Sequence, residues 1–252
     1  QLAYDTGIDK MSEWMTKFGF GQKTGIDIYE ESAGVYPNKE WKFKKYKRAW
    51  VQGDTIPVGI GQGYWIATPL QLTKALSVLI NNGRVNTPHL MMEVISSNKT
   101  EPYRDPLLYE DIKGVPERYW NAAKLGMYNV INAGNGTGKK AAGSFYRAAG
   151  KSGTAQVFNL KGGKYNKNAI KKELQDHAWF ISYAPFEEPK VAVAVILENA
   201  GGGGANAAPV AKRVMDFALS KTLKMSVEAL PEQHLQQNEK NQPLVEEAQP
   251  HE

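Results

Sequence analysis

The chain has 252 residues, 42% of them hydrophobic and 23% charged, a composition typical of a globular protein with one sizeable core. Its net charge of +5 is compatible with acidic partners, but it is too small an excess of base to indicate a nucleic-acid-binding protein. The absence of cysteine excludes disulfides and thiol chemistry, and no apolar run reaches the roughly twenty residues that a membrane-spanning helix needs.

The first forty residues predict one helix followed by a loop. Residues 8–18 repeat apolar side chains at helical spacing, and Gly19 and Gly21 end the pattern. Residues 22–37 are rich in Gly and Glu and predict a loop. Because the chain opens without an initiator methionine or a basic signal sequence, we expect it to be the C-terminal part of a longer protein.

Residues 39–50 hold six basic side chains, five of which are interleaved with aromatic ones. Such a segment can bind single-stranded nucleic acid by stacking and charge. It can equally form a solvated surface segment whose aromatic side chains pack inward. The segment is short and nothing else in the chain supports nucleic-acid binding, which favours the second interpretation.

Residues 68–82 carry the clearest helix signals in the chain. Thr68 is a typical N-cap residue, Pro69 suits the first helical position, and Gln71 completes a capping box. The apolar face is wide, so we expect a buried helix beneath the functional site. Asn82 and Gly83 end it.

The middle of the chain predicts an extended segment (85–95), a loop (96–110), a helix (116–131) and a flexible glycine-rich loop (133–142). The glycine-rich loop resembles a phosphate-binding P-loop. It fails the pattern because Ala133 replaces the first glycine and Lys140 replaces the Ser or Thr.

Lys151, Ser152, Gly153 and Thr154 open a predicted strand over residues 151–158. A lysine, two short hydroxyls and a glycine that permits close approach suit the binding of a small carboxylate against a strand edge. Since side chains alternate along a strand, Ser152 and Thr154 should share one face, with Lys151 and Gly153 on the other. The alternative is that these are polar residues at the start of a strand, without a binding or catalytic role.

Beyond this strand we predict a lysine-rich loop (159–176), two antiparallel strands (177–183 and Val191–Leu197) and a final helix (205–219). The remaining residues are rich in Gln, Glu and Pro. Such a composition cannot bury enough apolar surface to fold, so we predict disorder from about Lys224 onward.

Several motifs together resemble the class B penicillin-binding proteins. Lys151-Ser152-Gly153 matches the K-[ST]-G motif of penicillin-binding proteins and serine β-lactamases. The segment Ile60-Gly61-Gln62-Gly63, followed by Thr68-Pro69-Leu70-Gln71, resembles a signature of class B members, as does Thr24-Gly25-Ile26-Asp27. Residues 52–59 and 151–158 resemble the elongation-specific branch in particular.

The resemblance implies an α/β (α+β) fold of the penicillin-binding protein and serine β-lactamase type, with an antiparallel sheet flanked by helices on both faces. Residues 1–220 would be the C-terminal portion of the transpeptidase domain, and residues 221–252 a polar tail. The implied activity is a peptidoglycan D,D-transpeptidase that cross-links stem peptides during cell elongation and rod-shape maintenance and is a target of β-lactams. A D,D-carboxypeptidase and a non-catalytic β-lactam sensor or scaffold remain alternatives.

The resemblance also implies partners and location. The partners would be D-Ala-D-Ala stem peptides, β-lactams and membrane proteins of an elongation complex, including a glycan polymerase. The protein would lie at the periplasmic face of the bacterial inner membrane, anchored by a segment outside this chain. No cofactor is expected, and His89, His177, His234 and His251 have no metal-ligand spacing.

The nucleophile motif S-x-x-K of the family has one literal match, Ser96 with Lys99. We reject it because Pro102 follows too closely for a helix and because it lies after the Gly61–Gly63 block, whereas the family has it before. We therefore expect the reacting serine and the second motif to precede Gln1. A Ser-His-Asp hydrolase is disfavoured because no G-x-S-x-G segment is present.

The resemblance assigns roles to the Lys151 motif. Lys151 would lend positive charge to the site, and the hydroxyls of Ser152 and Thr154 would hold the substrate carboxylate. The backbone N–H of Thr154 would be one oxyanion donor, and Gly153 would allow close approach.

Overall fold

The computed structural model describes residues 1–97, 99–155 and 175–222. Within these ranges the chain forms seven α-helices and five strands. In chain order they are α1 (Leu2–Thr6), α2 (Ile8–Lys17), α3 (Lys39–Tyr46), α4 (Gln52–Gly59), α5 (Pro69–Ile80), β1 (Glu93–Ser96), β2 (Lys99–Pro102), α6 (Glu117–Asn132), β3 (Ala149–Ala155), β4 (His177–Ala184), β5 (Val191–Leu197) and α7 (Gly203–Phe217). No helix in the described ranges is long and apolar enough to cross a membrane.

The centre of the fold is an antiparallel sheet in the order β3–β4–β5. Along β4, Ala178 and Phe180 belong to the core formed with the small residues of α7. Tyr183 and Ile181 point to the opposite face, where they join the cluster built from α5 and α6. Helices therefore cover both faces of an antiparallel sheet, and the expected fold class is confirmed.

The helix α5 begins as its sequence predicts. The Thr68 hydroxyl accepts the Gln71 N–H at 3.1 Å, and the Gln71 side chain accepts the Thr68 N–H at 3.0 Å. Gln71 is fully buried, and its amide also donates to Gln22 O and Ala33 O, which ties the 22–37 loop to the helix. The helix packs mainly under β4 and β5 rather than beneath β3, because its apolar face meets the β5 side of the sheet.

The basic and aromatic segment packs inward. The rings of Trp41, Tyr46 and Trp50 contact one another or Tyr64, with Trp41 and Tyr64 centroids 5.4 Å apart and Trp50 and Tyr64 centroids 6.4 Å apart, whereas Phe43 is 58% exposed. Lys42, which the sequence indicates as part of a solvated surface, is 6% exposed. Three of the four rings of the segment are thus used for packing, which supports the surface-segment interpretation over nucleic-acid binding.

Two sequence predictions are wrong in detail, and the helix α4 has no counterpart among the predicted elements. Residues 85–92 are irregular and only Glu93–Ser96 is a strand, while part of the predicted 96–110 loop pairs with it as β2. The segment Gln52–Gly59 forms α4 despite an internal Pro57, because Val58 is fully buried in a core with Ile8 and Phe20. Finally, β3 begins at Ala149, two residues before Lys151, because both preceding residues pair with β4. The predicted continuation of the strand through 156–158, the 159–174 loop and the tail from Lys224 lie outside the described residues.

Candidate active site

The residues of the predicted site occupy the middle of β3, the outer strand of the three-stranded sheet. Ser152 lies opposite Phe180 and Thr154 opposite Ala178, so both hydroxyl side chains are on the face that α7 covers. Lys151 lies opposite Ile181 on the other face. The alternation expected from the sequence is present, and one edge of β3 is left unpaired within the described part of the chain.

Lys151 contacts its own strand. Its side chain is exposed, and its Nζ donates to the carbonyl oxygen of Ser152 at 2.7 Å. Among the described residues no carboxylate forms an ion pair with it. The ammonium group therefore places an uncompensated positive charge beside the strand, which suits an anionic ligand.

The start of α7 closes tightly against β3. A Cβ atom on Gly203 would overlap the carbonyl oxygens of both Trp179 and Gly153. A Cβ on Gly204 would overlap Thr137 O, and it would lie 3.9 Å from the Ser152 Cβ. The two glycines bring the helix to the strand at the motif itself, a close approach that a residue with a side chain would prevent.

Thr137 is the residue that sequence reasoning missed. Its Oγ1 lies 3.2 Å from the Ser152 Oγ, and either hydroxyl can be the donor. The only sequence signal was its place between Gly136 and Gly138 in the loop that fails the P-loop pattern. No local pattern indicates a contact with a residue 15 positions later.

The histidines in the described ranges serve the structure. His177 Nδ1 accepts the Asn199 N–H at 3.0 Å, whereas the base of a Ser-His-Asp triad would carry a proton on Nδ1 for its carboxylate. The His89 ring stacks on Tyr103 with centroids 3.8 Å apart. No group of three or more potential metal ligands occurs within residues 1–97, 99–155 and 175–222.

Two other places in the chain lie apart from this site. Ser96 is exposed in the β1–β2 hairpin, where its hydroxyl donates to Lys99 O at 3.0 Å. It is therefore not placed at a helix start, as the nucleophile of the family would be. A cavity of about 320 Å³ lies between α5 and the first residues of β5, at the opposite end of the sheet from Thr154.

Comparison with known proteins agrees with the geometry. Residues 1–216 match the penicillin binding protein transpeptidase domain. The peptidoglycan D,D-transpeptidase MrdA of Haemophilus influenzae is 63% identical over 225 residues, which are 88% of this chain and 34% of that protein. The chain thus spans about one third of the length of this relative.

Solved structures share the fold. The crystal structure of Pseudomonas aeruginosa PBP2 in complex with WCK 5153 is 39% identical with a TM-score of 0.73, covering 86% of this chain and 45% of that one. The complex of PBP2 with MreC from Helicobacter pylori gives 30% identity and a TM-score of 0.66, covering 86% of this chain and 37% of that one. With the family match over residues 1–216 and the K-[ST]-G strand at the sheet edge, this chain belongs to the penicillin-binding protein transpeptidase family.

Proposed function

We propose that this chain forms the carboxylate-binding wall of a peptidoglycan D,D-transpeptidase that cross-links stem peptides during cell elongation. The observation that carries this proposal is the placement of the Ser152 and Thr154 side chains on one face of an outer strand that also carries the exposed Lys151 ammonium group, which donates to the Ser152 carbonyl oxygen. The 63% identity to a D,D-transpeptidase supports the same reaction.

The chemistry divides between this chain and the rest of the domain. A serine supplied from outside these 252 residues attacks the carbonyl carbon of the penultimate D-alanine. The amide bond breaks, the leaving D-alanine takes a proton on its amine, and an acyl-serine remains. The amine of a second stem peptide then attacks the ester, which forms the cross-link and returns the proton to the serine.

Each residue of the motif has a separate task. The hydroxyls of Ser152 and Thr154 donate to the terminal carboxylate, and Lys151 adds positive charge, so the substrate is oriented before attack. The backbone N–H of Thr154 donates to the oxyanion, a type of contact that contributes roughly 3–4 kcal/mol to the transition state. Gly153, with its backbone closely covered by Gly203, keeps this part of the strand free of side-chain bulk.

The proposed location is the periplasmic face of the inner membrane, where the peptidoglycan substrate lies. A PBP2 solved together with MreC supports a protein partner of this kind for the elongation complex. The glycan polymerase is proposed as a further partner from the family resemblance.

The test uses the full-length protein and a labelled penicillin. We expect Thr154→Val, which keeps the shape and removes a donor to a charged group, to slow acylation about tenfold or more while the fold remains stable. Lys151→Ala should slow it further because charge and contacts are both lost. Acylation of both variants at the parent rate would refute the assignment, and product analysis with stem peptides separates transfer from hydrolysis.

A further inference from the structure

Thr137 lies at the same junction as the proposed carboxylate-binding hydroxyls, although it is outside the K-[ST]-G motif. Its Oγ1 is 3.2 Å from the Ser152 Oγ, across the gap between the loop after α6 and β3. The side chain is exposed, so its position is not explained by a place in the hydrophobic core. Hydroxyls on exposed loops are ordinarily free to rotate and move, and this one is held against a residue of the proposed site.

The backbone on both sides of Thr137 is held rigidly. The Gly138 N–H donates to Val130 O at 2.8 Å, which fastens the loop to the last turns of α6. A Cβ on Gly138 would lie 2.9 Å from the Phe180 ring, and a Cβ on Gly136 would overlap Val130 O. The residues on both sides of Thr137 are therefore closely packed, which restricts where its side chain can lie.

The start of α7 holds the same residue from the other side. Gly204 packs directly on Thr137 O, while Gly203 packs on the backbone of Gly153. Three elements, namely the 136–138 loop, β3 and α7, thus meet around the pair of hydroxyls formed by Thr137 and Ser152. Such a junction fixes the distance between the two oxygens independently of any ligand.

The chemistry of two adjacent hydroxyls decides what this arrangement can do. Each hydroxyl has one proton to donate and can accept hydrogen bonds as well. When a carboxylate binds, the Ser152 hydroxyl donates its one hydrogen bond to the anion. Between the two hydroxyls, Thr137 must then be the donor and the Ser152 oxygen the acceptor. A donor behind Ser152 both orients its hydroxyl toward the ligand and strengthens the bond through polarisation.

We propose that Thr137 is a positioning residue for the carboxylate-binding hydroxyl of Ser152. It acts through Ser152 and does not touch the substrate. This role presupposes that Ser152 binds the carboxylate, as proposed above. The ligands concerned are the D-Ala-D-Ala terminus and β-lactams, which carry a carboxylate close to the reacting carbonyl group.

The experiment compares benzylpenicillin with its methyl ester in the full-length protein. Thr137→Val keeps the shape and removes the hydroxyl, so the second-order rate of acylation by the free acid should fall about threefold to tenfold. The rate with the methyl ester, which has no carboxylate to receive the hydrogen bond, should change by less than about twofold. Thr137→Ser restores the hydroxyl and should restore the rate with the acid.

Two controls separate positioning from a general effect on the fold. Thr73→Val alters a comparable threonine on α5, beside the cavity at the far end of the sheet, and should leave both rates and the melting temperature unchanged. In a Ser152→Ala background, Thr137→Val should have no further effect on the rate with the acid, since the hydroxyl through which it acts is gone.

Contrary results have distinct meanings. An equal fall with acid and ester, no change with either, or additive losses in the double variant would each overturn the role of Thr137. Failure of Thr137→Ser to restore the rate would overturn it as well. If the free acid does not acylate the parent protein, the proposed function is refuted, and the role of Thr137, which depends on it, is refuted as well.

Discussion

Lys42 and Asp54 form an ion pair that is nearly closed off from water. The Lys42 Nζ lies 2.5 Å from the Asp54 Oδ2, and the two side chains are 7% and 16% exposed. The pair joins α3 to α4, and Asp54 also accepts the Val51 N–H at 2.8 Å just before α4 begins. A lysine in a basic surface segment is thus a structural link between two helices.

Replacing Lys42 should destabilise the fold. Lys42→Met keeps the length of the side chain but leaves the Asp54 charge buried without a partner, so we expect a loss of about 2–4 kcal/mol in the free energy of unfolding. Lys44→Met is the matched control, because its ion pair with Glu40 is 73% exposed on both sides and should contribute less than about 1 kcal/mol. Equal melting temperatures for the two variants would contradict this expectation.

The same pair should give the protein an acid-sensitive component of stability. Burial raises the pKa of Asp54, but the hydrogen bond and charge of Lys42 and the Val51 N–H outweigh it and hold the pKa below its ordinary 3.8. A carboxyl group whose pKa is lower in the folded state stabilises the fold at pH values above its ordinary pKa. This stabilisation is lost as the pH falls through the folded-state pKa. The stability difference between parent and Lys42→Met should therefore shrink below about pH 4. A stability difference between the two proteins that does not change with pH would contradict the lowered pKa of Asp54.

Lys74 should also make stability rise with pH, but in the alkaline range. It is 4% exposed, its Nζ donates to Thr24 O at 2.9 Å, and it lies 3.7 Å from the centre of the Tyr109 ring. Burial lowers its pKa to about 8, against the opposing effect of the Glu31 and Asp105 charges. Because the unfolded chain then binds more protons between that value and the ordinary 10.5, stability should rise across this interval relative to a Lys74→Met variant.

The measurement is urea unfolding of the parent and of Lys74→Met at several pH values from 7 to 10.5. We expect the parent to gain on the order of 2–3 kcal/mol relative to the variant. Other titrating groups affect both proteins alike, so the difference isolates Lys74. A difference in unfolding free energy that stays constant from pH 7 to 10.5 would show that burial does not lower the pKa of Lys74.

The glycine pair at the start of α7 gives a test of the packing at the site. Gly203→Ala places a Cβ where the Trp179 and Gly153 carbonyl oxygens lie, so we expect a destabilisation of about 1–3 kcal/mol and a slower acylation. Gly202→Ala is the control, since a Cβ there meets nothing within 4 Å and the backbone φ is −81°. Thermal unfolding that ranks Gly202→Ala as the worse variant would contradict the close approach of α7 to β3.

The 252-residue chain by itself should not react with penicillin. Its one literal S-x-x-K match begins at Ser96, which is exposed in a hairpin with its hydroxyl bonded to Lys99 O. Incubation with a fluorescent penicillin and mass spectrometry should show no covalent adduct. An adduct on Ser96 or on any other serine of this chain would show that a nucleophile has been overlooked.

The positions that sequence reasoning found correctly depend on local physics. The start of α5 follows from Thr68, Pro69 and Gln71, whose capping contacts lie within one helical turn. The common face of Ser152 and Thr154 follows from the two-residue period of any strand. The antiparallel pairing of β4 and β5 follows from two apolar runs separated by a turn-rich connection.

The sequence alone therefore indicated the family, the antiparallel strands and the common face of Ser152 and Thr154, because these follow from motifs and periods of neighbouring residues. Only the tertiary structure decided that Lys42 is buried against Asp54 and that α4 forms around Pro57, since packing of Val58 outweighs the low helix propensity of the segment. It also brought Thr137 to Ser152 and α7 to Gly153. Those contacts join separate elements, and no local pattern encodes which surfaces meet once the apolar faces of the helices are buried.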